Sequence, residues 1–242
     1  MKVAVVGKGG SGKTTASAVV ARTLARRGVS TLALDCDTNP NLGLSLGLGE
    51  SATERLATVR DAVDDGREDH AADVRDLVDR FSVAGPDGVR LAVVNTIDQP
   101  GPGCPCCGIS PEQLLRGLDD FEGVVVADFE AGLGTMTRLG DTPVDVVVVV
   151  AEPTAKSLEV AARAVDLARR RGLARVVLAA NRVRDDEDLA RVRATFPDLD
   201  VVVVPEEPDI TEAERRGEAP FDVAPRSAGV RALVGLTDHL VA

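Results

Sequence analysis

Tryptophan and tyrosine are absent from this 242-residue chain, and aromatic residues make up only 2% of it. Without them there is no row of rings on which the bases of a single strand could stack, which removes one common mode of nucleic-acid binding. Basic residues are outnumbered, with 28 lysines and arginines against 39 aspartates and glutamates, and the net charge is −11 at pH 7. Such a chain has no general attraction for a polyphosphate backbone or an anionic membrane, so neither nucleic acid nor membrane is expected as a partner. Long apolar runs are missing too: the opening valine-rich stretch and Val144 to Ala151 have the length of strands, far short of a bilayer span. No secretory leader is legible, and a cytoplasmic location is expected. In that compartment the four cysteines point to metal or redox chemistry rather than to structural disulfides. No repeat, low-complexity tract or linker interrupts the chain, which predicts one domain over residues 1–242.

What is present starts at the seventh residue. Gly7-Lys8-Gly9-Gly10-Ser11-Gly12-Lys13-Thr14 satisfies G-x-x-x-x-G-K-[ST], with a buried strand reading from Lys2 to Val6 before it and a helix from Thr14 to Arg27 after it. Glycines let successive backbone N–H groups turn inward into an anion nest, and the helix N-terminus adds a partial positive charge. Gly9, Gly10, Ser11, Gly12, Lys13, Thr14 and Thr15 are therefore the expected phosphate cradle. Lys13 is expected to reach the β- and γ-phosphates and Thr14 to hold Mg²⁺ through its hydroxyl.

Further along, apolar runs at Ser30 to Asp35, Val89 to Val94, Gly123 to Asp128, Val144 to Val150, Arg175 to Ala180 and Val201 to Pro205 alternate with helical patterns. The spacing predicts an α/β fold: a mostly parallel, twisted sheet of about seven to eight strands with helices on both faces. Two amphipathic helices are expected between Glu50 and Phe81, and a final one from Ser227 to Val241. Ligands in open parallel sheets sit beyond the carboxyl ends of the strands, so Asp35 and Asp37 should face the glycine loop. Asp128, closing an apolar strand, has the Walker B pattern that helps hold Mg²⁺. A second chemical signal is Gly103-Cys104-Pro105-Cys106-Cys107-Gly108, where glycine and proline keep three thiols on a loop before a helix starting near Ser110. Cys104-x-Cys106 and Cys104-x-x-Cys107 coexist, and two thiolates per chain do not complete a metal site. A twofold axis would supply four, which suits Zn²⁺ or another thiophilic ion such as Ni²⁺.

Lys8, directly after the first glycine, makes the loop resemble the deviant Walker A motif of the ParA/MinD/nitrogenase-iron-protein superfamily of dimeric ATPases. That resemblance implies an ATP-dependent homodimer in which Lys8 reaches the partner's nucleotide, and Asp37, near the Mg²⁺, orients the attacking water. It further implies that Gly132 donates its N–H to the γ-phosphate and that Asn181, followed by Arg182, lies at the adenine edge. The loop carrying Pro205 and Glu206 would close over the base. The combination of Asp35-x-Asp37-x-Asn39-Pro40-Asn41-Leu42, the Cys104-x-Cys106 loop and Asp128-Phe-Glu-Ala-Gly-Leu133 is similar to the CooC family, nickel-insertion ATPases that mature carbon monoxide dehydrogenase. In that family the C-x-C pair holds metal across the dimer, which favours Cys104 and Cys106 over Cys107 and implies a client metalloenzyme. The same ATP switch also serves MinD- or ParA-like spatial organisers, whose membrane anchor or basic surface is not legible here. It serves electron donors too, but their cluster-holding cysteine in the second switch has no counterpart between Asp128 and Gly134.

Overall fold

A computed structural model describes residues 1–54, 56, 74–94, 110–130, 142–172 and 175–241. Its strands are β1 (Lys2–Gly7), β2 (Thr31–Cys36), β3 (Val83–Ala84), β4 (Arg90–Val93), β5 (Val124–Phe129), β6 (Val146–Ala151), β7 (Arg175–Val183) and β8 (Asp200–Pro205). They form one sheet in the order β3-β4-β2-β5-β1-β6-β7-β8, parallel throughout except for the antiparallel edge pair β3 and β4. The eight-stranded, mostly parallel sheet with helices on both faces is the architecture that the alternating pattern predicts. β1, β2, β5 and β6 are buried along their whole length, and a strand covered on both faces needs apolar side chains on both, hence the unbroken valine runs.

One face is covered by α1 (Lys13–Arg26), α2 (Leu42–Leu46) and the C-terminal helices, packed on Val3, Val5, Ala33, Val126 and Val148. Ala16, Ala18 and Ala21 are fully buried, and their small side chains let the α1 backbone lie close to the sheet. Gly28, at φ +81°, stops that helix with a left-handed turn, its N–H bonding the Ala25 carbonyl. The other face carries α4 (Val74–Phe81), α5 (Pro111–Gly117), α6 (Ala155–Arg170) and α7 (Asp186–Thr195) over Ala4, Val6, Leu34, Ala127 and Val149. α3 (Glu50–Thr53) follows α2 directly. α5 begins as its sequence foretells: Ser110 caps it and Gln113 reciprocates in a capping box.

Several boundaries differ from expectation. Of the two helices expected between Glu50 and Phe81, α4 is present, while Val59 and Val63 lie outside the described residues. β7, expected to end at Asn181 and Arg182, runs one residue further to Val183; its register shifts against β8 between Ala180 and Val183, and Arg182 within that shift stands at φ +59°. α7, α8 (Pro208–Arg215) and α9 (Pro220–Val223) escaped the sequence reading: α7 and α8 are short and rich in charged residues, and α9 is a single turn of four residues. The last helix is split into α10 (Ala228–Leu236) and α11 (Asp238–Val241). No helix among the described residues is long and apolar enough to cross a membrane.

Candidate functional site

The glycine loop joins the carboxyl end of β1 to α1, at the middle of the sheet's carboxyl edge. Gly7 allows the chain to leave the strand, since a Cβ there would lie 2.3 Å from the Val150 carbonyl oxygen of β6. Gly12, the residue before α1, sits at φ +95° and provides no side-chain cap. The first N–H groups of α1 are thus left for a ligand, which is the anion site that its dipole favours. Ser11 is buried, and its hydroxyl has no hydrogen-bond partner among the described residues. Lys13 is buried with its Nζ donating to the Lys8 carbonyl at 3.3 Å, the ammonium folded over the loop whose N–H groups would receive phosphate. Among the described residues, the exposed Lys8 ammonium makes only a 3.4 Å contact, to the adjacent Gly9 carbonyl.

Beside the loop, parallel pairing of β2 with β5 sets Asp35 directly opposite Asp128. Both are buried. Burial pushes the Asp35 carboxyl up to about 8, helped by the charge of Asp128 and opposed by hydrogen bonds from the Leu42 and Asp37 amides. Those amides lie at 2.8 and 3.2 Å, so Asp35 anchors the start of α2 and the loop before it. Asp128 is likewise raised by burial, to about 6, against hydroxyl hydrogen bonds from Thr14 and Ser17 and the charge of Lys13. Ser17, three residues after Thr14 on the same face of α1, approaches at 3.1 Å. A threonine hydroxyl beside a carboxylate that burial alone would discharge is a set of hard oxygen donors suited to a magnesium-sized dication. Asp37 is half-buried at the loop mouth, where its Oδ1 accepts from the Asn39 amide at 2.9 Å.

A cavity of about 320 Å³ opens on the loop, floored by Lys13, Thr14 and Thr15 and walled by Leu44 and Ser45 on one side and Glu214 and Glu218 on the other. Its neighbour is a narrow cleft containing Asn181, Arg182, Pro205 and Glu206. The Asn181 carboxamide donates to the Ser11 carbonyl at 2.7 Å. Arg182 donates to the Gly10 carbonyl at 3.2 Å and pairs with Glu152. Thr15 donates its hydroxyl to Glu214 on α8. The fold therefore brings together Gly9 to Thr15, Asp37, Asp128, Asn181, Arg182, Pro205 and Glu206. Gly132, Cys104, Cys106 and Cys107 lie outside the described residues. Cys36 is buried, and burial first, then the nearby carboxylates, push its thiol up, so it stays protonated.

Sequence reasoning missed Ser17, Glu152, Glu214 and Glu218. Ser17 was recoverable from its position one helical turn past Thr14. Glu214 and Glu218 sit in an acidic stretch that reads as solvated surface, whereas Glu152, directly after an apolar strand, stands at the carboxyl edge where ligands sit and was recoverable from that position.

A glycine loop on the central strand of a parallel sheet, with an uncapped helix behind it and a buried carboxylate beside it, defines a P-loop nucleotide-binding protein. Residues 2–221 match the family model described as CobQ/CobB/MinD/ParA nucleotide binding domain, and the chain belongs to that family. An ATP-binding protein of Methanocaldococcus jannaschii is 32% identical over 77% of each chain. The carbon monoxide dehydrogenase accessory protein CooC of Rhodospirillum rubrum is 30% identical over 93% of this chain and 91% of its own. In fold, the chain is similar to the septum site-determining protein MinD complexed with Mg-ADP from Pyrococcus horikoshii OT3, with a TM-score of 0.77 at 21% identity, covering 99% of this chain and 95% of that one.

Proposed function

We propose that this protein is a Mg²⁺-dependent ATPase that dimerises around ATP and uses the dimer to hold and deliver a thiophilic metal ion, Ni²⁺ or Zn²⁺, to a client metalloenzyme such as carbon monoxide dehydrogenase. The observation that carries the nucleotide part is the assembled loop: an uncapped helix N-terminus and a buried Lys13 that line one cavity, with the buried Asp128 carboxylate held against the same helix by Ser17. The metal part is supported by the Cys104-x-Cys106 loop and by likeness to CooC over nearly the whole chain.

In this reading Gly9 to Thr15 surround the phosphates, and Lys13 neutralises charge on the transferring group. Thr14 and Asp128 hold Mg²⁺, which when bound supplies charge neutralisation at the phosphates. Asp37 aligns water for in-line attack, Gly132 donates to the γ-phosphate, and Lys8 acts on the nucleotide of the second subunit. Asn181, Arg182, Pro205 and Glu206 enclose the adenosine. The metal is cargo: two thiolates from each subunit give the four soft ligands that Zn²⁺ takes tetrahedrally and that suit Ni²⁺ as well.

Titration of the purified protein with Zn²⁺ or Ni²⁺, with and without Mg·ATP, tests this. One ion per dimer, bound in the ATP state and lost in Cys104→Ser with Cys106→Ser, is expected. Stoichiometry unchanged by those substitutions would sink the metal reading. The likeness to MinD gives a second reading, a spatial organiser, and ATP-dependent co-sedimentation with liposomes or DNA would favour it instead.

A further inference from the structure

The two walls of the nucleotide cavity are held from behind by one buried arginine that does not itself line it. Arg22 lies on α1, two turns beyond Thr15 and so on the same helix face. It is 2% exposed, yet among the described residues the hydrogen bonds of its side chain run to other elements. Nη1 and Nη2 fork onto the Asp222 carboxylate of α9 at 2.6 and 2.7 Å, Nη1 also donates to the Leu46 carbonyl at the end of α2 at 3.3 Å, and Nε donates to Asp87 at 2.6 Å. The guanidinium lies over the Phe221 ring, its carbon 4.8 Å from the centroid, and Arg26 lies over the same ring at 4.4 Å while pairing with Asp87 at 2.9 Å.

Two of these partners lie next to residues that wall the cavity. Leu46 is one residue past Ser45, and Asp222 is four residues past Glu218. The two walls meet closely at Arg22: a Cβ on Gly47 would come within 2.9 Å of Asp222 Oδ2 and 3.4 Å of Arg22 Nη1. α1 thus grips the α8–α9 segment at two points, Thr15 to Glu214 inside the cavity and Arg22 to Asp222 behind it, while Arg22 holds α2 by its last carbonyl. Asp87 is kept at φ +59°, a backbone state unfavourable for a residue with a side chain, where it meets both arginines. A planar fork with five donors can bind three elements at once, which an ammonium on a flexible stem cannot.

We propose that Arg22 is a positioning residue for nucleotide binding: it sets the separation of α2 from the α8–α9 segment, and with it the width of the cavity that the ribose and phosphates enter. The inference rests on the nucleotide reading above. Asp222→Asn removes the acceptor fork at a half-exposed position and leaves Arg22 its Asp87 partner, so folding is expected to survive; Arg22→Lys keeps the charge and loses the fork. Asp119→Asn is the control, because it breaks an ion pair with Lys2 at the opposite end of the sheet. Affinity for Mg·ADP and nucleotide-free Tm are measured for all four proteins. Asp222→Asn and Arg22→Lys are expected to bind Mg·ADP about tenfold more weakly, with Asp119→Asn binding like wild type even where its Tm falls as far. Binding by Asp222→Asn and Arg22→Lys within about twofold of wild type overturns the inference, as does an equal affinity loss in Asp119→Asn. Failure of the wild-type protein to bind Mg·ADP overturns the nucleotide reading and this inference together.

Discussion

The Asn181 carboxamide donates to the Ser11 carbonyl at 2.7 Å, and a Cβ placed on Gly12 would lie 2.3 Å from the same nitrogen. A strand-end side chain 170 residues away therefore rests on the phosphate loop and dictates which residue can follow Ser11. Gly12→Ala should abolish nucleotide binding for two separable reasons, the collision with Asn181 and the left-handed φ of +95°. Removing the collision alone, in Gly12→Ala with Asn181→Ala, should leave binding impaired, because the backbone cost persists. Full recovery of Mg·ADP affinity in the double variant, measured by calorimetry, would show that the backbone conformation is unimportant.

Asn181→Ala alone should weaken Mg·ADP binding by roughly tenfold, about the 1.4 kcal/mol that a buried hydrogen bond contributes. The loop carbonyl of Ser11 would lose its donor and the adenosine cleft one polar wall. Unaltered affinity would assign Asn181 no part in the site.

Lys8 extends out of the loop with no carboxylate paired to it among the described residues, whereas Lys13 folds over it. Lys8→Ala should then keep nucleotide affinity in the monomer and lose ATP-dependent dimerisation together with hydrolysis. Lys13→Ala should lose affinity itself. Size-exclusion chromatography with ATP, beside phosphate release, separates the two; a Lys8→Ala protein that still dimerises and hydrolyses ATP would contradict a role in trans.

Asp128→Asn keeps the shape of the side chain and an acceptor for Ser17 while removing the charge offered to Mg²⁺. Hydrolysis should fall by two or more orders of magnitude, on the order of 3 kcal/mol in the barrier, with the fold intact by circular dichroism. Hydrolysis at wild-type rate would remove Asp128 from the site.

Asp87 supplies a pH dependence. Burial alone would raise its carboxyl, but hydrogen bonds from Arg26 and Arg22 outweigh burial and hold it below its usual 3.8. Its folded-state value lies below the unfolded one, so its contribution to stability is complete above about 3.8 and fades as pH falls through the lower folded value. Arg22, whose burial lowers it less than Asp222 and Asp87 raise it, stays charged throughout. The Tm gap between wild type and Asp87→Asn should thus be constant from neutral pH down to about 4 and close below it. A gap that persists at the lowest pH would mean that the carboxylate charge is not what Arg22 and Arg26 hold.

The nucleotide loop, the buried strands and the helix start at Ser110 were legible in the chain because each rests on local chemistry: glycine's backbone freedom, valine runs covered on both faces, and a serine answered by a glutamine three residues on. The same locality made Lys13, Thr14 and Asp128 recognisable by pattern alone. What only the tertiary structure decided is which distant residues complete the site. The register of β2 on β5 sets Asp35 against Asp128, the bulge at the end of β7 turns Asn181 and Arg182 onto the loop, and the packing of α8 and α9 on α1 brings Glu214 and Asp222 to Thr15 and Arg22. In sequence Arg22 is one basic residue in a helix and Asp222 one acidic residue among many. Their meaning arises from burial, because a guanidinium out of water must find acceptors, and only the folded chain determines that two of those acceptors, the Leu46 carbonyl and Asp222, lie just behind the two walls of the nucleotide cavity.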